Sequence, residues 1–276
     1  MKNLLCFIFF LSICLSCEEK PVEMLDRVVP AGNKTVLIED FTGIQCVNCP
    51  RGARAIENFK TIYGKDRVFS VAVYTEVFDE PFPETKHNLL TTKGQQMQDH
   101  LGTLFGKPAA AINRTLNSDS ERFYLNPDLW QDPVLDELNR PSELNITMTS
   151  SFDPSTRRLE GELAIVPVVD LNVQLNYSII ITEDHIIDPQ LDDIGKVLDY
   201  EHNHVFRDML TAPEGNMLGT SFTKGEIVKV PFSYTVPDQT NAGLWIAENC
   251  EILAFVHQST SASRRVLQTT SAHLTE

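Results

Sequence analysis

A nearly unbroken apolar run from Leu4 to Leu15 opens the chain, with Lys2 before it and Ser16 and Cys17 after it. One positive charge, a short apolar stretch and a small residue at the break form the layout of a secretory signal over residues 1–16. The run is shorter than the roughly 20 apolar residues a membrane-crossing helix needs. Residues 17–34 are polar, carry Pro21, Pro30 and Gly32, and read as a tether. Val36 to Phe41 is an apolar run of strand length. Ala53, Ile56, Phe59, Ile62 and Tyr63 then recur at helical spacing up to Gly64, and Val68 to Tyr74 reads as a buried strand. Strand, helix and strand in so short a span predict a βαβ unit with a parallel pair and a right-handed crossover. Leu89 to Phe105 suggests one or two amphipathic helices, Ala109 to Asn113 a strand, and Pro127 to Leu138 a last helix with Trp130, Val134, Leu135 and Leu138 on one face.

Asn139-Arg140-Pro141 reads as a hinge, and the pattern changes after it. Leu144 to Thr149 and Val173 to Ile179 alternate with period two, and further strand-like runs cover Leu159–Val166, Ile227–Val236, Ile252–Gln258 and Arg265–Thr270. Short strands with polar turns predict an antiparallel β-sandwich, immunoglobulin-like in broad terms, over 141–276. A helical or loop insertion is expected at 188–219. The fold class is therefore α/β plus all-β, an α/β domain at 35–140 followed by the sandwich.

The formal net charge of -15 opposes binding to phosphate backbones, so nucleic acid is not an expected partner. Of six cysteines, Cys6 and Cys14 fall in the signal and Cys17 at its end, which leaves Cys46, Cys49 and a solitary Cys250. One close pair in an exported chain points to chemistry more than to stapling. A first thiol at the mouth of a helix meets unpaired backbone N–H groups and the positive helix end, which favour thiolate. Cys46 would attack a partner disulfide and Cys49, one turn on, would resolve the adduct. This chemistry requires an accessible sulfur at position 46. Arg51 and Arg54 add positive charge in the first turns.

Leu15-Ser16-Cys17 resembles the lipobox of bacterial lipoproteins, with Cys14 where that motif has Leu. The resemblance implies lipidation of Cys17 and a membrane anchor, and Glu18-Glu19-Lys20 resembles the acidic tract that sends some lipoproteins to the surface. Val36 to Cys49 resembles the active-site segment of the thioredoxin superfamily. The resemblance implies that Asp40, six residues before Cys46, moves protons at the second cysteine. It also implies that Pro108, in Lys107-Pro108, is the cis-proline that binds extended substrate backbone. The chain departs from thioredoxins in having Gln45 where they have Trp and Val47-Asn48 between the cysteines. Phe41-Thr42-Gly43, Cys46, Asn48-Cys49-Pro50, the segment from Pro108 to Arg114, and Glu201-His202-Asn203-His204-Val205 with Arg207 resemble the lipoprotein family named for outer membrane protein twenty-eight. That implies an envelope lipoprotein with a thioredoxin-like and an immunoglobulin-like domain, without supplying an activity.

Three chemistries stay open for Cys46 and Cys49: a redox pair, a structural disulfide and a zinc site. Closing so small a loop contributes little to stability, which counts against the staple. Zinc wants four ligands, and His202 and His204 would have to come from the other half of the chain. Those histidines, with Glu201, Asp192, Asp193 and Asp199, read either as a surface metal site or as a helix cap paired with Arg207. No cofactor and no metal is expected. Cys250 reads as an inert core thiol, Trp130 as core, and Trp245 as core or part of a binding face. The sequence holds no Gly-x-Ser-x-Gly and no phosphate-cradling glycine loop. The expected function is thiol–disulfide exchange on an envelope protein substrate or redox partner. The alternative is a non-enzymatic surface lipoprotein acting in adhesion or ligand binding.

Overall fold

The computed structural model describes residues 33–119, 121–237 and 245–275. The expected signal, Cys17 and residues 18–32 of the tether lie outside the described residues. The first apolar run forms β1 (Val36–Thr42), buried along its whole length, and β2 (Val68–Tyr74) lies parallel to it, with Val36 opposite Val68. Continuous apolar runs suit strands covered on both faces. The crossover between them is α1 (Cys49–Tyr63). Its Ile56 and Phe59 pack against Val36, Ile38, Val68 and Ile112, and burying each contributes about 1.5–3 kcal/mol. Gly64, at φ 104°, ends the helix and returns its N–H to the Lys60 carbonyl, a backbone sign that favours glycine.

Only α2 (Thr92–Leu101) forms within the Leu89–Phe105 stretch. The Thr91 hydroxyl accepts the Gly94 N–H at 3.0 Å and starts it, and Met97 and Leu101 join a cluster with Leu37, Phe41, Val73 and Phe206. β3 (Ala109–Ile112) runs antiparallel to β1. The Pro127–Leu138 helix is split into a 3-10 turn at Pro127–Leu129 and α3 (Gln131–Leu138), with the fully buried Trp130 between them.

The chain continues through β4 (Leu144–Asp153), β5 (Arg158–Pro167), β6 (Leu175–Glu183), β7 (Ile186–Asp192), β8 (Gly195–His202), β9 (Val205–Met209), β10 (Asn216–Gly219), β11 (Val228–Thr235), β12 (Cys250–Gln258) and β13 (Val266–His273). The stretch 188–219, read from sequence as a helical or loop insertion, is therefore corrected to strands β7 to β10 joined by short turns, the longest at 210–215. Pro189 and the charged residues of β8 hide the alternation there. The proline sits at a register shift between Asp188 and Gln190, where the ladder needs no N–H from it. β7 and β8 form a hairpin of their own.

Among the described residues the architecture is mixed α/β, mostly strand, in three sheets. The largest runs β13-β12-β6-β9-β2-β1-β3, with β10 added to β6. Strands from both sides of Asn139–Pro141 are thus hydrogen-bonded into one sheet. The junction is β9 beside β2, where Ala72 is opposite Val205 and the Ala72 N–H donates to the His204 carbonyl at 2.7 Å. A second sheet, β11-β5-β4, contributes Leu159, Leu163, Ile165 and Val230 to a core shared with Ile179, Ile181, Ile252 and Ala254 of the large sheet. Trp245 and Cys250 belong to that core, where burial pushes the Cys250 thiol up to about 12. Where β1 and β3 meet this half, Arg114 donates to the Glu39 carboxylate through Nε and Nη2 at 2.6–3.1 Å, with both side chains buried.

Candidate functional site

The loop between β1 and α1 carries a disulfide between Cys46 and Cys49. Its path is set by the neighbouring loop at 75–80. Asp79 accepts the Ile44 N–H at 3.0 Å, Phe78 accepts the Gln45 N–H at 2.8 Å, and the Gln45 side chain donates to the Glu80 carbonyl at 2.8 Å. A Cβ on Gly43 would come within 2.4 Å of the Phe78 carbonyl oxygen, so only glycine permits this approach. The Lys107–Pro108 peptide is cis. Pro108 and Trp130 pack against α1 so closely that a Cβ at Gly52 would sit 2.8 Å from the Trp130 ring and 3.3 Å from Pro108 Cβ. Lys107 reaches back with Nζ to the carbonyls of Thr42, Thr75 and Val77 at 2.5–3.0 Å, tying β1, β2 and the 75–80 loop together.

Asp40, on β1, is 3% exposed, and its Oδ1 has no hydrogen-bond partner. Burial raises its pKa from 3.8 to about 7, against the pull of Lys107. Burial likewise lowers Lys107 to about 8, opposed by Asp79 and Asp40. Arg51 and Arg54 are engaged with acids, Arg51 with Asp128 and Arg54 with Asp192 at 3.1 Å, so neither presents a free charge to the cysteines.

The structure does not meet the access condition set by the sequence. Cys46 is 4% exposed and Cys49 2% exposed. The cover is the β7–β8 hairpin. Gln190 Nε2 donates to the carbonyls of Gly43 and Cys46 at 3.2 Å and of Leu191 at 2.9 Å, and the Leu191 N–H donates to the Ile44 carbonyl at 2.8 Å. Asp188 holds the hairpin to the 86–87 backbone by accepting both N–H groups. Each such bond contributes about 0.5–1.5 kcal/mol net. Gln190→Ala is therefore expected to speed reduction of the disulfide by a phosphine about tenfold, followed as thiol release. An unchanged rate would show that the hairpin does not control access.

His202 and His204, separated by Asn203, face different surroundings. His202 Nε2 lies 3.2 Å from the Asp188 carbonyl, so it carries the ring proton, and Nδ1 accepts from the Tyr74 hydroxyl at 2.6 Å. Burial lowers His202 to about 4. His204 contacts Glu57 at 3.2 Å and Asp184 at 3.1 Å. Burial works against its charge, but those hydrogen bonds prevail and its pKa rises. The expected pairing of this segment with Arg207 is corrected: Arg207 contacts Glu183 at 3.2 Å, and the histidines lie on strands β8 and at β9 instead of a helix end. Among the described residues no group of three or more His, Cys, Asp or Glu side chains is arranged to hold a metal.

A cavity of about 350 Å³ lies beneath α1, lined by Asp40, Cys49, Ser70, Tyr74, Tyr200 and His202 among others. Of the candidates named from sequence, Cys46 and Cys49 are joined by the disulfide, Asp40 and Cys49 line this cavity, and Pro108 packs at Gly52 of α1 without lining it. Sequence reasoning missed Gln190, Ser70 and Tyr74. Gln190 lies inside the stretch read as an insertion, and the other two sit in an apolar run with nothing to mark them.

Residues 95–276 match the family model described as outer membrane protein Omp28. Among solved structures, HBP35 of Porphyromonas gingivalis superposes with a TM-score of 0.67 at 16% identity, covering 88% of this chain and 76% of that one. Protein AGR_C_4864 from Agrobacterium tumefaciens gives 0.54 at 13% identity, covering 89% and 97%. These two likenesses concern the fold. No curated protein matches the chain.

Proposed function

We propose that this chain, which belongs to the outer membrane protein Omp28 family, carries out thiol–disulfide exchange with envelope proteins at a thioredoxin-like site. The observation that carries the reading is a disulfide at the start of α1 with a buried carboxyl, one oxygen of which has no hydrogen-bond partner, lining the same cavity as Cys49. An acid held near pH 7 can take or return the proton that a cysteine gains or loses on reduction and oxidation. In this reading Cys46 attacks, Cys49 resolves, Asp40 handles the proton and Pro108 orients the substrate strand. The β7–β8 hairpin withdraws for a protein partner to reach Cys46. Lipid on Cys17 anchors the protein at the outer membrane. The β11-β5-β4 sheet and the face it covers act as the immunoglobulin-like half, presenting partners.

The near-complete burial of Cys46 favours a second reading, a disulfide that serves structure alone. The two separate on trapping. Cys49→Ala, offered a disulfide-bonded protein such as insulin, is expected to accumulate a mixed disulfide through Cys46, while Cys46→Ala accumulates none. Negligible trapping by both, with a reduction potential below about -300 mV, supports the structural role.

A further inference from the structure

Cys49, itself 2% exposed, is among the residues that line the cavity beneath α1, and Cys46 is not. Asp40 and Ser70, 3% and 5% exposed, also line it, and Asp40 Oδ1 and Ser70 Oγ have no hydrogen-bond partner. Buried polar atoms are nearly always satisfied, so two orphans in one cavity mark a place for an incoming donor. The basic groups nearby are already engaged, Arg54 with Asp192 at 3.1 Å and His204 with Glu57 and Asp184. Exposed Arg54, Asn58 and Glu201 form the rim, so the cavity communicates with solvent. Its volume is at the small end of ligand sites, which run from about 300 to 1,000 Å³. It suits a compact molecule.

We propose that a small ammonium-bearing thiol, of the dimensions of 2-aminoethanethiol, enters this cavity, donates from its ammonium to Asp40 and Ser70, and exchanges electrons with the disulfide at Cys49. The inference rests on the exchange reading above and names its small-molecule electron carrier. The ligand thiolate attacks Cys49 Sγ, the ligand–Cys49 bond forms, the Cys46–Cys49 bond breaks, and Cys46 leaves as thiolate. A second ligand thiolate attacks the ligand sulfur of that adduct, and Cys49 leaves. Two thiols become one small disulfide, and their two protons end on Cys46 and Cys49. Protein partners and the small thiol then use opposite ends of one disulfide.

The test uses the purified protein with Cys46→Ala and with Cys49→Ala, treated with cystamine or with the neutral 2-hydroxyethyl disulfide. Each rate is divided by that of the same variant unfolded in urea, which removes the intrinsic reactivity of the reagent. Cys46→Ala is expected to form the Cys49 adduct at least tenfold faster with cystamine than with the neutral reagent. Adding Asp40→Asn brings the ratio close to one, and adding Ala53→Phe, which fills the cavity, suppresses both reactions while circular dichroism stays unchanged. Equal rates for the two reagents, or faster labelling at Cys46 than at Cys49, overturns this inference. If insulin is still trapped through Cys46 in that case, the exchange reading survives. Failure of both trapping and labelling removes the two together.

Discussion

Glu39→Ala is expected to lower the unfolding free energy by about 3–5 kcal/mol, read as a lower midpoint in urea with an unchanged slope. The carboxylate is the partner of a guanidinium that is itself fully buried, and Arg114 Nη1 already lacks a partner. Removing the acid leaves a desolvated charge with no counter-charge. Arg114 also lies over the Phe255 ring at 4.9 Å, so the pair stands between β1 and β12. Replacing both partners, Glu39→Leu with Arg114→Met, is expected to recover most of the loss, because neither charge then has to be desolvated. A double variant as unstable as Glu39→Ala would show that packing around β3, and not the unpaired charge, sets the cost.

The second large effect is a pH dependence centred on Asp40. Burial raises its folded pKa from 3.8 to about 7. Between those values the folded protein holds a proton that the unfolded chain has released, so stability falls as pH rises through this window and levels off above it. The gap corresponds to at most about 4 kcal/mol. Asp40→Asn, which cannot ionise, is expected to match the parent at pH 4 and to exceed it by a few kcal/mol at pH 8. Urea unfolding at the two pH values checks this. Equal gains at both would mean that the carboxyl finds a compensating partner when it ionises. A destabilising acid kept inside a core needs a reason outside stability, and the proton handling proposed for Asp40 beside Cys49 would supply one.

The parts of this arrangement legible in the sequence are those whose burial is continuous or strictly periodic. Val36–Phe41, Val68–Tyr74 and the stripe through Ile56 and Phe59 announce their elements, since strands covered on both faces and a half-buried helix leave no other pattern. The motif Cys46-x-x-Cys49 was legible through its spacing, and Asp40 and Pro108 through the resemblance to the thioredoxin active-site segment. The β7–β8 hairpin was not. Ile186, Asp188 and Gln190 alternate around a proline, and Asp188 and Gln190 are buried because they bind backbone, not because they are apolar. A buried glutamine serving the carbonyls of Gly43 and Cys46 has the composition of a loop residue. The Glu39–Arg114 pair is hidden for the same reason: both read as surface charges, and Arg114 adopts a left-handed φ of 53° that no pattern announces. The coverage of Cys46 follows from contacts made 144 and 147 residues apart in the chain, which local spacing does not carry.

The parallel seam between β2 and β9 has a consequence for biogenesis. Synthesis from the N-terminus delivers β1, α1 and β2 well before β9, which will flank β2. Until β9 arrives, β2 carries an open edge with unsatisfied N–H and C=O groups, the kind of surface on which chains aggregate. The cysteine pair is delivered in the same interval, before Gln190 can cover it. Oxidation of Cys46 and Cys49 is therefore easiest before β7 and β8 form, and the hairpin then closes over a bond already made.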